Sequence, residues 1–188
     1  MKRTIKMAPV LIILFFIFPT ISFADQFRVT RVYDGDTIKA EGNGTEVKVR
    51  LVGIDAPETC EEKRELRQPY SEKAKRYLAD LILNKIVAIK DYGLEGYDVY
   101  LGAIFINSKN INLEMIRAGL AEVHLGKPLL DLDLKPFFEA EKEARADRKG
   151  MWVQGDSYVS PSTWRKTDTL KSAFALILYG LCGDTGHK

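Results

Sequence analysis

Alternating hydrophobic and polar residues indicate several strands in this chain. Residues 46–52 (EVKVRLV) alternate strictly, so their apolar members would share one buried face and Arg50 would lie on the opposite face. Further strands are predicted at Phe27–Tyr33, Thr37–Ala40, Asn84–Lys90 and Val99–Ile106. Turns are predicted between strands at residues 42–44 (GNG), 93–96 (GLEG) and 107–110 (NSKN), which are rich in Gly and Asn.

Helical periodicity begins after Tyr70, where apolar residues recur three and four positions apart through Ile82. Two further helices are predicted, one over Asn112–Ala118 that ends at Gly119 and one from Pro136 to Gly150. Met151-Trp152 is expected to bury its indole after the last helix. This order of elements predicts an α+β fold, mainly β, in which a small Greek-key barrel carries about three packed α-helices.

The first 24 residues have the form of a signal peptide. A positively charged start (MKRTIK) precedes an apolar run from Val10 to Phe18, and residues 22–24 (SFA) offer a cleavage site. The apolar run is shorter than the about 20 residues that a membrane span needs. We therefore expect cleavage after Ala24, export to the periplasm or the medium, and no stable membrane span afterwards. An uncleaved membrane anchor is the alternative.

Net charge gives no support for a nucleic-acid partner. The chain has 28 basic and 26 acidic residues, but three of the basic ones, Lys2, Arg3 and Lys6, belong to the leader. The remaining 25 basic residues face 26 acidic ones, whereas nucleic-acid binding usually leaves a basic excess. Any affinity for nucleic acid would have to be local.

Residues 25–167 are expected to form one domain of ordinary size, and the apolar tail at 168–188 has no assigned role. Cys60 and Cys182 are the two cysteines, and their separation in sequence leaves it open whether they pair. The two histidines, His124 and His187, are isolated, and no Cys/His cluster has the spacing of a zinc site.

Candidate chemistry is concentrated between Asp34 and Glu58. This stretch contains a DGD turn (34–36), Arg50 on its predicted strand, and the acidic segment Asp55-Ala56-Pro57-Glu58, which Pro57 would hold as a rigid loop. The glycine of the DGD turn would accept a positive φ. Carboxylates and a backbone carbonyl suit a hard cation such as calcium, a further carboxylate can activate water, and an arginine can bind a phosphate. Taken singly, each signal has a plainer explanation as a turn or a solvated charge.

Taken together, the motifs DGDT and RLVGIDAPE resemble the staphylococcal nuclease (thermonuclease) family. The resemblance continues in QPYSEKAK, NLEMIRAGLAEV, AEKEARADRKGMW and YVSPSTW, and it extends from about Phe27 to Trp164. It implies a five-stranded OB-fold barrel and a calcium-dependent nuclease that hydrolyses DNA, RNA or both. It further implies that a monomer carries the site.

The resemblance also implies roles for single residues. Asp36 and Asp55 would hold Ca²⁺, the carbonyl of Ala56 would complete the protein ligands, Glu58 would be the general base, and Arg50 would contact the scissile phosphate. Tyr97 would stack on the nucleotide or hydrogen-bond to it. Asp34 is expected to shape the turn rather than to bind metal.

One departure from the family affects the phosphate-binding part of this site. Family members usually carry a second arginine in a Y-G-R-x-L-A/G segment, and residues 97–102 here read YDVYLG, which puts Val99 at the arginine position. Lys48, Lys90 and Arg67 are the candidates to substitute for it. The alternatives are a catalytically impaired barrel that binds nucleic acid or protein and an exported structural module.

Overall fold

Residues 26–59, 67–124, 126 and 129–167 are described by the structure, a computed structural model of the chain. The leader (1–24), Cys60, Cys182 and the tail (168–188) lie outside the described residues, so cleavage, disulfide pairing and a role for the tail stay predictions. Among the described residues, no helix is long and apolar enough to cross a membrane.

The strands lie close to the positions that the alternating pattern predicts. They are β1 (Gln26–Val32), β2 (Thr37–Gly42), β3 (Thr45–Leu51), β4 (Ile54–Asp55), β5 (Ile86–Glu95), β6 (Val99–Ile106), β7 (Lys109–Asn110) and β8 (Glu122–Val123). In β3, Val49 and Leu51 are buried while Arg50 is only partly so, as expected for a strand with one face on the core.

Five strands close a barrel. Neighbouring strands pair antiparallel in the order β3-β2-β1-β5-β6, and a parallel pairing of β3 with β6 closes the ring. Strand β7 extends the sheet outside the ring, and β4 pairs with β8 in a separate two-stranded sheet. The α+β class, mainly β, with a five-stranded OB-fold Greek-key barrel is therefore confirmed.

Of the turns predicted between strands, the structure confirms one at residues 42–44 and contradicts another at residues 93–96. Asn43 and Gly44 have φ values of 52° and 74°, the left-handed conformation of a two-residue hairpin loop, as predicted for GNG. The turn predicted at residues 93–96 is wrong, because β5 continues through Glu95 and the chain reverses at residues 96–98. The pairing of β5 with β6 shifts between Asp91 and Leu94, and such a bulge interrupts the alternation on which the prediction depended.

Three α-helices pack on the barrel, as predicted. They are α1 (Ser71–Ile82), α2 (Ile111–Arg117) and α3 (Lys135–Ala146), followed by a 3-10 helix (Gly150–Ser157) and a helical segment over 161–167. Helix α1 buries Ala74, Leu78 and Ile82, the face that its periodicity predicts.

The ends of α2 and α3 meet at two glycines. A Cβ on Gly119 would lie 2.3 Å from the carbonyl oxygen of Lys149, and one on Gly150 would lie 2.1 Å from that of Gly119. Met151 N–H donates to the Gly119 carbonyl at 2.8 Å, and Trp152 is buried beyond it, as predicted. This contact joins the end of α2 to the chain that follows α3.

Asn112 joins α2 to the barrel wall through a fully buried amide. Its Oδ1 accepts the N–H of Ile104 at 3.0 Å, and its Nδ2 donates to the carbonyls of Val52 and Gly102 at 2.9 and 3.1 Å. Since these backbone groups lie at the closure between β3 and β6, one side chain satisfies polar atoms on both sides of it.

Replacing this amide should destabilise the fold. We expect Asn112→Ala to lower the free energy of unfolding by about 2–4 kcal/mol, because it leaves buried backbone groups without their partner and opens a small cavity. Urea denaturation with an unchanged m-value would measure this loss. Asn107→Gly is the matched control, since it removes an exposed amide at a positive φ and should change stability by less than about 0.5 kcal/mol. Equal effects of the two substitutions would contradict the role of Asn112.

Candidate active site

The DGD turn depends on close packing rather than on an unusual backbone conformation. Asp36 N–H donates to Asp34 Oδ1 at 2.9 Å, which closes the turn and agrees with the shaping role predicted for Asp34. The positive φ expected at Gly35 is wrong, because Gly35 is not among the glycines with positive φ. A Cβ there would instead lie 2.6 Å from Cβ of Ala56 and 2.7 Å from Cβ of Ala74. Glycine therefore allows the turn to approach the acidic segment and α1.

Asp36 is buried against the segment that carries the other acidic residues. Its side chain is 5% exposed, and its Oδ2 accepts the N–H of Ala56 at 2.9 Å while its Oδ1 accepts the hydroxyl of Thr37 at 2.9 Å. The structure thus brings the predicted ligands Asp36 and Ala56 into direct contact, although 20 residues separate them in sequence.

Asp55 lies in a strand rather than in the predicted loop. It belongs to β4 and pairs with Glu122 of β8, which fixes its backbone, and its side chain is 1% exposed. Arg50 Nη2 donates to Asp55 Oδ1 at 3.0 Å. A carboxylate buried to this degree needs such cationic or hydrogen-bonding partners, since an unpaired buried charge is strongly unfavourable.

Arg50, on barrel strand β3, lies within ion-pair distance of three acidic side chains. Its Nη2 lies 3.5 Å from Asp36 Oδ2, and its Nε lies 3.7 Å from Glu95 Oε2 on β5. The negative charge of Asp36, together with that of Asp55, raises the pKa of Arg50. Strand β3 thus directs a charged guanidinium to the predicted metal ligands.

Glu58 stands at the edge of this group and remains partly exposed. Its backbone N–H donates to Gln68 Oε1 at 3.0 Å, which fixes the segment after Pro57. Burial raises the pKa of Glu58, and a hydrogen bond from Arg165 opposes that rise. A carboxylate of raised pKa at the solvent edge is suited to accept a proton from water.

Asp34 has a different electrostatic environment from the other acidic residues. Burial, and then the charge of Asp36, raise the pKa of Asp34 to about 8. Both influences disfavour the charged form of the Asp34 carboxyl. The turn-shaping role of Asp34 stays a prediction.

Arg165 is a site residue that the sequence analysis missed. Its Nη1 donates to Asp55 Oδ1 at 2.9 Å and to Glu58 Oε1, and its Nη2 donates to Asp55 Oδ2 at 2.8 Å. The hydrogen bonds to Asp55 and Glu58 raise the pKa of Arg165. Arg165 directly follows the YVSPSTW motif, which is the one sequence signal that could have drawn attention to it.

The other predicted substrate residues lie outside this group. Tyr97 is 98% exposed in the turn between β5 and β6, and Val99 is half-buried on β6 opposite Lys48. The three basic residues predicted as possible substitutes each contact another side chain. Lys48 lies over the Tyr33 ring at 5.3 Å, and Lys90 lies over the Tyr92 ring at 4.8 Å. Arg67 forms an ion pair with Glu72.

An open groove of about 660 Å³ lies beside Arg50. Glu95 and His124 contribute polar groups to it, and Tyr92 with several leucines, among them Leu94, contributes apolar surface. A groove with apolar walls and one guanidinium at its edge can hold a flat organic group next to an anion.

The oxygen donors of the site fit a hard divalent cation. Asp36 and Asp55 present buried carboxylates, and Arg165 already places a cationic group on Asp55. Within the described part of the chain, no cluster of three or more His, Cys, Asp or Glu side chains is arranged to hold a metal ion. A cation here would therefore draw on two carboxylates, a backbone carbonyl and water, which is the mixed oxygen set that calcium accepts.

Comparisons of the sequence with known proteins identify the family of this chain. The model of the family described as "Staphylococcal nuclease homologue" matches residues 48–154. The chain is 31% identical over 151 residues to a protein named "Uncharacterized endonuclease" from Haemophilus influenzae, with 78% of this chain and 76% of that protein covered. It is 31% identical over 159 residues to a protein of the same name from Escherichia coli O157:H7, with 82% and 94% covered.

A third relative, named "Micrococcal nuclease", is from Shigella flexneri. It is 32% identical over 149 residues, with 73% of this chain and 79% of that protein covered. The family match covers more than half of the 188 residues and agrees with the resemblance of the motifs. The chain therefore belongs to the staphylococcal nuclease homologue family.

Proposed function

We propose that this protein is a calcium-dependent nuclease that hydrolyses phosphodiester bonds of DNA, RNA or both. The observation that carries the proposal is the convergence of Asp36, Asp55, Glu58 and Arg50 within one buried and half-buried group. The names of the three relatives, two endonucleases and a micrococcal nuclease, support the same class of reaction. A protein without catalytic activity has no evident need for this combination of side chains.

Each side chain has a role that follows from its surroundings. Arg50 is held in place by Asp36 and Asp55, and its guanidinium can bind phosphate oxygens through two parallel hydrogen bonds. Glu58 is partly exposed and of raised pKa, so it can orient a water molecule and take its proton. Asp36, Asp55 and the Ala56 carbonyl would hold the metal.

When bound, calcium would supply positive charge next to the scissile phosphate and so stabilise the charge that develops on its oxygens. The groove beside Arg50 would accept a nucleotide, with its apolar walls against the base or sugar. Tyr97 lies in the turn between β5 and β6, next to Gly96 of the groove, and would contact the nucleic acid by stacking. Export through residues 1–24 and a monomeric state belong to the same proposal.

A second candidate is a catalytically impaired barrel that binds nucleic acid or protein. The observation in its favour is Val99, which brings no charge to the position where the family resemblance implies an arginine. A comparison of the unsubstituted chain with the Val99→Arg variant distinguishes the two candidates. If the barrel is impaired, the unsubstituted chain does not cleave and Val99→Arg gains cleavage, by analogy with added arginine fingers.

Cleavage should depend on Glu58 and on calcium. With single-stranded DNA and RNA as substrates, we expect the parent to cleave in Ca²⁺ and not in chelator. Glu58→Gln should lower kcat by about 10²–10⁴-fold, because the amide cannot accept the proton of water. Glu139→Gln, an exposed change of the same type on α3, is the control and should leave kcat unaltered. Full activity of Glu58→Gln would exclude this carboxylate as the base.

Calcium binding should depend on Asp36. Calorimetric titration of the substrate-free protein should find that Asp36→Asn weakens Ca²⁺ affinity at least about tenfold, since affinity follows the number of charged ligands. Asp98→Asn removes one exposed carboxylate from the β5–β6 turn and should not change the affinity. If both variants bind calcium like the parent, the ion is held elsewhere.

A further inference from the structure

We propose that Arg165 is a second phosphate-binding residue of this site, supplied by the helical segment 161–167. The inference rests on the proposed nuclease function and extends it to a residue outside the stretch that the family model matches. It also offers an answer to the departure at Val99, because it identifies a positive charge that reaches the site from another part of the chain.

The two guanidinium groups of the site meet at one oxygen. Arg50 Nη2 and Arg165 Nη1 donate to Asp55 Oδ1 at 3.0 and 2.9 Å. Arg165 extends from there to Glu58, so it lies between a predicted metal ligand and the predicted base. Its side chain is 39% exposed, so Arg165 lies at the border between the buried carboxylates and solvent.

The residues just before the segment 161–167 are held against the site by two hydrogen bonds. Gln68 is buried, and its Nε2 donates to the carbonyl of Val159 at 2.7 Å while its Oε1 accepts the N–H of Glu58. Tyr158 donates its hydroxyl to Glu122 Oε2 at 2.6 Å. Arg165 is therefore positioned before any ligand binds, which lowers the entropic cost of using it.

The partners of Arg165 allow it to turn to a phosphate. A divalent cation held by Asp55 would weaken the Arg165–Asp55 pair, because two positive charges would then compete for the same carboxylate. The guanidinium would keep its bond to Glu58 and direct the donors released from Asp55 to an anion. A planar guanidinium has five N–H donors, enough to bind a carboxylate and a phosphate together.

Binding measurements test this role apart from turnover. A single-stranded DNA oligonucleotide with a cleavage-resistant phosphorothioate backbone is titrated in Ca²⁺ over a range of NaCl concentrations, with gels to check that it stays intact. We expect Arg165→Gln to weaken binding by about 10- to 100-fold at low salt, the worth of a charge-assisted hydrogen bond. The slope of log K against log [salt] should flatten by about 0.7, the contribution of one phosphate contact on a single strand.

Two variants accompany this one. Arg165→Lys keeps the charge without the planar fork and should recover part of the affinity and most of the slope. Arg148→Gln is the matched control, since Arg148 is an exposed arginine in the turn after α3, and it should alter neither quantity. Circular dichroism and urea denaturation check that each variant is folded.

Turnover in calcium completes the test. Arg165→Gln should lower kcat/KM by about 10²-fold or more, with Arg165→Lys in between. Unchanged binding and salt slope, or faster cleavage by Arg165→Gln, would overturn the inference, the latter by showing that the guanidinium blocks the site. If the parent does not cleave at all, the proposed nuclease function fails, and the binding and salt data still decide the role of Arg165.

Discussion

Burial of Asp36 and Asp55 is the physical constraint on which the rest of the site depends. A carboxylate removed from water needs donors or cations, and these two receive them from four separate places in the chain: the Ala56 amide, Thr37, Arg50 and Arg165. These donors are positioned by the barrel strands, by the close approach at Gly35 and by the segment after the 3-10 helix. The fold therefore supplies the partners that the two buried carboxylates need.

Barrel closure serves the same requirement. The parallel pairing of β3 with β6 places Arg50 opposite Leu101, and the antiparallel pairing of β3 with β2 places it opposite Thr37, the residue that follows Asp36. Arg50 thus has its position set from both sides. The buried amide of Asn112 joins this closure to α2 through hydrogen bonds from its side chain to backbone carbonyls.

Local patterns predicted most of this architecture, and non-local contacts account for what they missed. The buried face of α1 follows from the periodicity of neighbouring residues, and the bounds of β6 follow from an apolar run that a turn ends. The bulge in β5 escaped because one extra residue interrupts the alternation. At Gly35 the residue type was informative but the reason differed, since the constraint is the distance to Ala56 and Ala74 and not φ. Arg165 could not be placed, because 110 residues separate it from Asp55.

The bond between Gln68 and Val159 bears on where this enzyme family's functional unit ends. Family recognition covers residues 48–154, yet Asp36 precedes that stretch and Arg165 follows it. Gln68 links the base-bearing segment to the chain just beyond the recognised boundary, so both sides of that boundary share one hydrogen-bond network. The stretch that the family model matches is here smaller than the group of charged residues that these hydrogen bonds join. Two relatives with identical residues over that stretch could therefore still have sites that differ in charge.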